Sequence, residues 1–64
     1  MKTLHMKGSE LSDRFIGILE NAGLNPWMFN EGQANDDTDF YLTEEQCLAL
    51  RMSIYEFQAR TQEN

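Results

Sequence analysis

The acidic residues of this chain have the types and spacing that could support binding or catalysis, and five of them fall in one short stretch. The thirteen residues ANDDTDFYLTEEQ, positions 34 to 46, contain three aspartates and two glutamates together with two aromatic side chains. Carboxylates at this density are typical of calcium binding, acid–base hydrolysis, or attraction of a basic surface. The residues concerned are Asp36, Asp37, Asp39, Phe40, Tyr41, Glu44 and Glu45.

The calcium-loop interpretation fails at its most constrained positions. The register would place Asn35, Asp37 and Asp39 at ligand positions 1, 3 and 5. Position 6 is then Phe40, where the sharp turn needs glycine, and position 12 is Gln46, where a bidentate glutamate is needed. We therefore expect no metal in this stretch.

The remaining reactive residues do not indicate catalysis. Paired carboxylates that hydrolyse a bond need a pocket that holds them at a fixed separation, and a domain of this size buries only about 60% of its unfolded surface. His5 and Cys47 are the single histidine and the single cysteine. Neither an intrachain disulfide nor a structural zinc site is therefore expected. We expect a protein that is not an enzyme and has no cofactor.

The positive charges stand at the two ends of the chain. No lysine or arginine occurs between Phe15 and Leu50, and the whole chain carries a formal net charge of −6. Phosphate backbones are bound through lysine and arginine, so we expect no direct nucleic-acid binding. A protein partner with a basic surface fits this distribution. The alternative is that negative charge only keeps a small protein in solution.

No segment of the sequence indicates secretion or membrane insertion. The N-terminal MKTLHMKG lacks the apolar region of a signal peptide, and no apolar stretch approaches the roughly 18 residues of a membrane span. A lone cysteine fits a reducing compartment. We expect a cytoplasmic protein.

The segment SELSDRFIGILENAGLNP predicts one helix over about residues 9–22. Ser9 or Ser12 can cap its start. Gly23 suits the left-handed residue after the last turn, and Leu24 can then fold back on the helix in a Schellman motif. The apolar stripe at helical spacing consists of Leu11, Phe15, Ile18, Leu19 and Ala22.

The segment LTEEQC contains a capping box and predicts a second helix over about residues 43–61. Thr43 caps its start, and Gln46 three residues later can reach back to the Thr43 amide. Glu44 and Glu45 lie in the first turn, where the helix dipole favours negative charge.

This second helix would have two apolar lines, which implies burial on two sides. One line, made of Leu48, Met52, Tyr55 and Ala59, is separated by polar residues from the other. We expect a homodimer built partly on the second line. The alternative is that both lines face one small core within the chain. The residues of the second line are Cys47, Leu50, Ile54 and Phe57.

The connection between the helices is less regular. An Asn-Pro pair suits a cap and first helical position, so we expect a short helical turn near residues 25–30. The turn carries Trp27, Met28 and Phe29. These side chains are either core or an exposed aromatic anchor for a partner.

The expected fold is mainly α, with two principal helices in one small domain over residues 1–64. Residues 39–42 could pair with residues 3–7 as a minor two-stranded sheet, although either segment alone is marginal. The stretch FYLTEEQCLAL, residues 40–50, resembles the start of a helix in some phage antirepressor-type regulators. The capping box accounts for most of that resemblance, and it assigns no family.

Two functions remain open. The first is a non-catalytic module that docks on a basic, nucleic-acid-binding protein surface, as small phage or mobile-element inhibitors do by analogy. The second is a small helical self-associating protein that regulates or scaffolds without such docking. For the first function, the expected binding residues, called here the predicted patch, are Glu31, Asp36, Asp37, Asp39, Phe40, Tyr41, Glu44 and Glu45.

Overall fold

Two strands and four short helices make up the fold. The computed structural model describes residues 2–62, with 41% helix and 16% strand. The expected mainly α fold with two principal helices is therefore wrong, and the chain combines helices with a two-stranded antiparallel sheet. None of the helices in the described range has the length and apolar character that crossing a bilayer requires. In chain order the elements are β1 (Thr3–Lys7), α1 (Gly8–Ser12), α2 (Ile16–Asn21), β2 (Asp39–Thr43), α3 (Glu44–Ala49) and α4 (Ile54–Thr61).

β1 and β2 pair in antiparallel fashion along their whole length, with Lys7 opposite Asp39. The pairing suggested for residues 3–7 and 39–42 is confirmed. It is the centre of the fold and not a minor feature, because α1, α3 and α4 all pack against β1. The helices cover one face of the sheet, which supports a pair of strands that would be marginal alone. That inward face carries the buried side chains Leu4, Met6 and Leu42.

The expected helix over residues 9–22 is wrong, because it divides into α1 and α2. Phe15, between them, has an extended backbone (φ −69°, ψ 150°), and it is 79% exposed and not part of the apolar stripe. The guanidinium of Arg14 donates to the carbonyl oxygen of Leu50 at 3.0 Å. This hydrogen bond links the break between α1 and α2 to the turn after α3. The spacing of apolar residues within 9–22 cannot reveal a contact with so distant a segment.

Local sequence predicts the end of α2 correctly but not the start of α1. Lys7, and neither Ser9 nor Ser12, is the N-cap residue of α1. At the end of α2 the Schellman motif is confirmed. Gly23 has φ +77°, and the Leu24 N–H donates back into the last turn at 3.0 Å.

The capping box at the start of α3 is also confirmed. The Gln46 N–H donates to Thr43 Oγ1 at 3.2 Å, and the Thr43 N–H donates to Gln46 Oε1 at 3.0 Å. The continuous helix over residues 43–61 is wrong, because the chain turns at Arg51, whose φ is +71°. Ser53 then caps α4 by accepting a hydrogen bond of 3.0 Å from a backbone N–H in its first turn.

The turn between α3 and α4 folds the second apolar line into the core and leaves most of the first line at the surface, because Met52 is buried while Leu48, Tyr55 and Ala59 are exposed. Cys47 and Leu50 are 0% exposed and Phe57 is 2% exposed, while Ile54 is half-buried against them. Three of the four residues expected to form a homodimer therefore pack inside a single chain, although the two lines do not share one core as the alternative stated. The homodimer itself stays a prediction. The buried core consists of Leu4, Met6, Leu11, Leu19, Ala22, Met28, Leu42, Cys47, Leu50, Met52 and Phe57.

The connection near residues 25–30 forms turns and not a helix. Met28 is buried in the core, and the ring of Phe29 lies 6.5 Å from that of Phe40. Trp27 is half exposed. The aromatic segment is therefore divided, with two side chains turned inward and one toward solvent.

Candidate protein-binding surface

Asp36 and Asp37 of the predicted patch lie in a loop whose backbone is held by hydrogen bonds within the loop. The Asn35 side-chain oxygen accepts from the Asp37 N–H at 2.8 Å, and the Thr38 hydroxyl accepts from the Asn35 N–H at 2.8 Å. We call residues 35–38 the acidic loop. These local bonds fix its backbone, while the carboxylates of Asp36 and Asp37 remain exposed.

The acidic loop is packed onto the start of α1. The Gly8 N–H donates to the Thr38 carbonyl at 2.8 Å, and the Ser9 N–H donates to the Asp36 carbonyl at 3.1 Å. A Cβ atom at Gly8 would collide with the carbonyl oxygen of Asn35. Glycine therefore allows this close approach, and the loop is positioned by tertiary packing as well as by its own turn.

Asp39, which belongs to the predicted patch, pairs with two side chains of β1. Its Oδ1 lies 2.7 Å from Lys7 Nζ and 2.7 Å from His5 Nε2. The hydrogen bond from Lys7, reinforced by that from His5, holds the pKa of the Asp39 carboxyl below its usual range. Lys7 reaches Asp39 because strand pairing brings the two residues opposite each other.

The two aromatic residues of the predicted patch face opposite sides of the sheet. Phe40 is half-buried beside Phe29. Tyr41 is 66% exposed, and its ring lies 5.1 Å from that of His5 on the neighbouring strand. Alternation along β2 therefore leaves Tyr41, and not Phe40, as an aromatic group that a partner can reach.

Two open depressions in the surface each contain a pair of the expected carboxylates. Glu44 and Glu45 lie in one, which we call the helix depression, and Asp36 and Asp37 lie in the other, which we call the loop depression. The helix depression is lined by Lys2, Thr43, Glu44, Glu45 and Phe57. The loop depression is lined by Ser12, Phe29, Ala34, Asn35, Asp36 and Asp37.

Glu31 stands apart from both depressions. It is exposed, and it accepts a hydrogen bond of 3.1 Å from the side-chain amide of Asn25, which also donates to Gln33 at 3.0 Å. This small network closes the turn-rich segment after α2. The geometry thus gives Glu31 a local structural role.

Most basic side chains are engaged inside the chain. Arg60 reaches Glu10 at 3.1 Å and Glu56 at 3.6 Å, which joins α4 to α1. Lys7 pairs with Asp39, and Arg14 donates to a backbone carbonyl. In the described range, these contacts reduce the positive charge that is free to bind phosphate. Sequence reasoning missed all of them except the Arg60–Glu56 pair, which lies four residues apart within α4, because the others join segments far apart in the chain.

The reactive groups do not assemble a catalytic or metal centre within residues 2–62. No group of three or more histidine, cysteine, aspartate or glutamate side chains in that range could hold a metal ion. The Cys47 thiol is buried, and this desolvation raises its pKa, which opposes the nucleophilic thiolate. No protein-family model, curated protein or solved structure matches the chain.

Proposed function

We propose that this protein is a non-catalytic binding module that docks on a basic surface of another protein. The observation that carries the proposal is the composition of the two depressions. Each combines a pair of exposed carboxylates with an aromatic side chain, which is the half-buried Phe29 in the loop depression and the almost fully buried Phe57 in the helix depression, where Lys2 is a further lining residue. A lysine or arginine side chain has the matching parts, an apolar stem and a charged head.

The negative charge of the chain would act mainly by raising the rate at which it encounters a basic partner. A net charge of −6 attracts a basic partner over several ångströms and raises the association rate. Exposed ion pairs contribute only about 0.2–1 kcal/mol each once formed. Binding is therefore expected to be fast, modest in affinity and strongly reduced by salt.

The partner class follows from the same chemistry. Protein surfaces that hold nucleic acid are rich in lysine and arginine, so such a surface is a suitable target. Occupation of that surface by this chain would exclude nucleic acid from it. The proposed biological effect is therefore inhibition of a nucleic-acid-binding protein.

A charge-matched pair of variants tests the proposal. Asp36→Asn with Asp37→Asn neutralises the loop depression, and Asp13→Asn with Glu20→Gln removes the same charge from other exposed positions. Binding to a panel of purified basic DNA-binding domains, such as homeodomains, is measured by surface plasmon resonance at about 50 and about 300 mM salt. Duplex DNA is added as a competitor.

The loop variant should bind at least several-fold more weakly than the control variant, and DNA should displace the parent chain. Equal binding by the two variants would mean that overall charge and not the depressions drives association. A parent chain that binds none of the domains at low salt would overturn the proposal.

Self-association is kept as a second candidate function because two large apolar side chains are strongly exposed. Phe15 and Tyr55 are each 79% exposed, and exposed apolar groups can mark a contact site. Sedimentation at several concentrations distinguishes the two functions, since self-association through apolar groups should persist at high salt. If the protein is a monomer at all concentrations, docking remains as the single candidate function.

A further inference from the structure

The two-stranded sheet has a free edge whose polar groups can be identified. The Gly8 N–H donates to the Thr38 carbonyl, which continues the ladder beyond Lys7 and Asp39. In antiparallel pairs, hydrogen-bonded and non-hydrogen-bonded positions alternate. Lys7–Asp39 is therefore a non-hydrogen-bonded pair, and so is the pair of His5 and Tyr41 two residues further along. Residues in such pairs direct their N–H and C=O groups away from the partner strand.

The edge formed by β2 is the more open of the two. β1 packs against α1, α3 and α4, whereas the main helical neighbour of β2 is α3. The outward N–H of Thr43 is already bonded to Gln46. No bond within residues 2–62 links the outward groups of Asp39 and Tyr41 to another segment, and Tyr41 is 66% exposed. We call these N–H and C=O groups the β2 edge.

We propose that the β2 edge binds an extended basic peptide segment as a third strand of the sheet. Addition of a strand to an exposed sheet edge is a general mode of peptide recognition, in which backbone hydrogen bonds supply affinity and side chains supply specificity. This inference rests on the proposed function, and it specifies that the partner's basic residues lie on an extended segment and not on a helix.

Charge complementarity selects the occupant. Asp36 and Asp37 precede β2, and Glu44 and Glu45 follow it, so carboxylates stand at both ends of the edge. The strand of five residues spans about 17 Å at roughly 3.4 Å per residue. A peptide with lysine or arginine about six residues apart can therefore pair along β2 and place a basic side chain near each pair of carboxylates.

The same charges oppose a second copy of the chain. A two-fold antiparallel pairing centred on Tyr41 would bring the carboxylates before β2 in one copy toward the carboxylates after β2 in the other, at both ends of the pairing. Like charges brought close together repel, and each copy carries a net charge of −6. The charges beside the β2 edge thus favour pairing with a basic strand and disfavour pairing with a second copy of the chain.

The test uses a synthetic ten-residue peptide of alternating lysine and valine with blocked ends. The full chain is titrated with it, and binding is followed by NMR together with amide hydrogen exchange. The matched peptide has the same side chains but carries N-methyl groups on its four central amides, which removes hydrogen-bond donors and keeps every charge. We expect at least tenfold weaker binding of the methylated peptide, and at least tenfold slower exchange at Asp39 and Tyr41 with the unmodified one.

Variants of the chain give an independent readout. Tyr41→Pro removes an outward donor and leaves the bonds between β1 and β2 in place, since proline is tolerated where the N–H faces solvent. Tyr41→Val keeps the donor and loses the ring. The proline variant should bind the unmodified peptide at least tenfold more weakly than the valine variant.

The two peptides and the charge variant together distinguish the role of the edge from that of the charges. Equal binding of the two peptides overturns strand addition, even if Asp36→Asn with Asp37→Asn still weakens binding and the proposed function survives. Unchanged exchange at Asp39 and Tyr41 with bound peptide also overturns it. If neither peptide binds at low salt, the result counts against both the edge and the proposed function. A dimer that protects the same two amides without peptide would replace the basic strand with a second copy.

Discussion

Lys7 Nζ lies 2.7 Å from Asp39 Oδ1, directly across the two strands of the sheet. Through this pair, Asp39, one of the five acidic residues in positions 34–46, forms a contact across the strands. Both side chains are about half exposed, so the pair fixes the register of the strands more than it adds stability. The unpaired carboxylates before and after β2 thereby become two separate sites, one at each end of the strand.

Asp39→Asn should change how stability depends on pH. The hydrogen bond from Lys7 lowers the pKa of Asp39 below 3.8, so its contribution is present above that pH and is lost as the pH falls through the folded-state pKa. The stability difference between parent and variant should therefore shrink in acid. Urea unfolding at about pH 7 and about pH 2.5 measures it. Asp36→Asn, which removes an exposed carboxylate that forms no ion pair in the described range, is the control and should not show this loss.

Gly8→Ala should destabilise the protein by about 1–3 kcal/mol, because the new Cβ would meet the backbone oxygen of Asn35. Gly17→Ala is the matched control. A Cβ at Gly17, in α2, has no neighbour within 4 Å, so that variant should gain up to about 1 kcal/mol in helix propensity. Opposite shifts of the urea midpoint are expected. Two variants of equal stability would show that the acidic loop is not held against α1.

Thr43→Ala should lower the free energy of unfolding by about 1 kcal/mol, because it removes the acceptor for the Gln46 N–H at the start of α3. Thr43→Ser keeps a hydroxyl at the same place and should recover most of the loss. Chemical denaturation of the three proteins measures both effects. Equal midpoints for the alanine and serine variants would contradict a role for the cap.

Arg51→Gly should raise stability by up to about 1 kcal/mol. Arg51 has φ +71°, a conformation that costs an L-residue roughly 1–2 kcal/mol, and glycine's greater freedom in the unfolded chain offsets part of the gain. Gly23→Ala, at φ +77° and with no steric neighbour, is the reciprocal control and should lose about 1 kcal/mol. Thermal unfolding should move in opposite directions for the two variants, and a loss of stability in Arg51→Gly would contradict backbone strain at that turn.

The break between α3 and α4 shows why the helix prediction was wrong. The chain makes the same Schellman bonds after α3 as after α2, with the Met52 N–H donating to the Cys47 carbonyl at 3.1 Å. The left-handed residue is an arginine, so the usual glycine signal is missing. The local signal that could have marked the break is Ser53 followed by Glu56, a typical helix start.

The acidic surface was only partly predictable for a similar reason. The exposure of Asp36, Asp37, Glu44 and Glu45 follows from their charge. The inward position of Phe40 depends on the pleat of a strand that sequence patterning treated as minor. The aromatic side chains of the two depressions are Phe29 and Phe57, which lie on other elements and show no pattern in common with the acids.

The sequence by itself determined the features that act over a few residues, which are the capping box at Thr43, the left-handed end of α2 at Gly23 and the net negative charge. Tertiary structure decided the rest. His5 meets Asp39 across 34 positions, and Arg14 meets Leu50 across 36. Local hydrogen bonds have nearly the same geometry wherever their sequence occurs, whereas contacts between distant residues form only when burial of a shared core brings their elements together. That core placed a lysine beside Asp39 and divided each of the two expected helices into two.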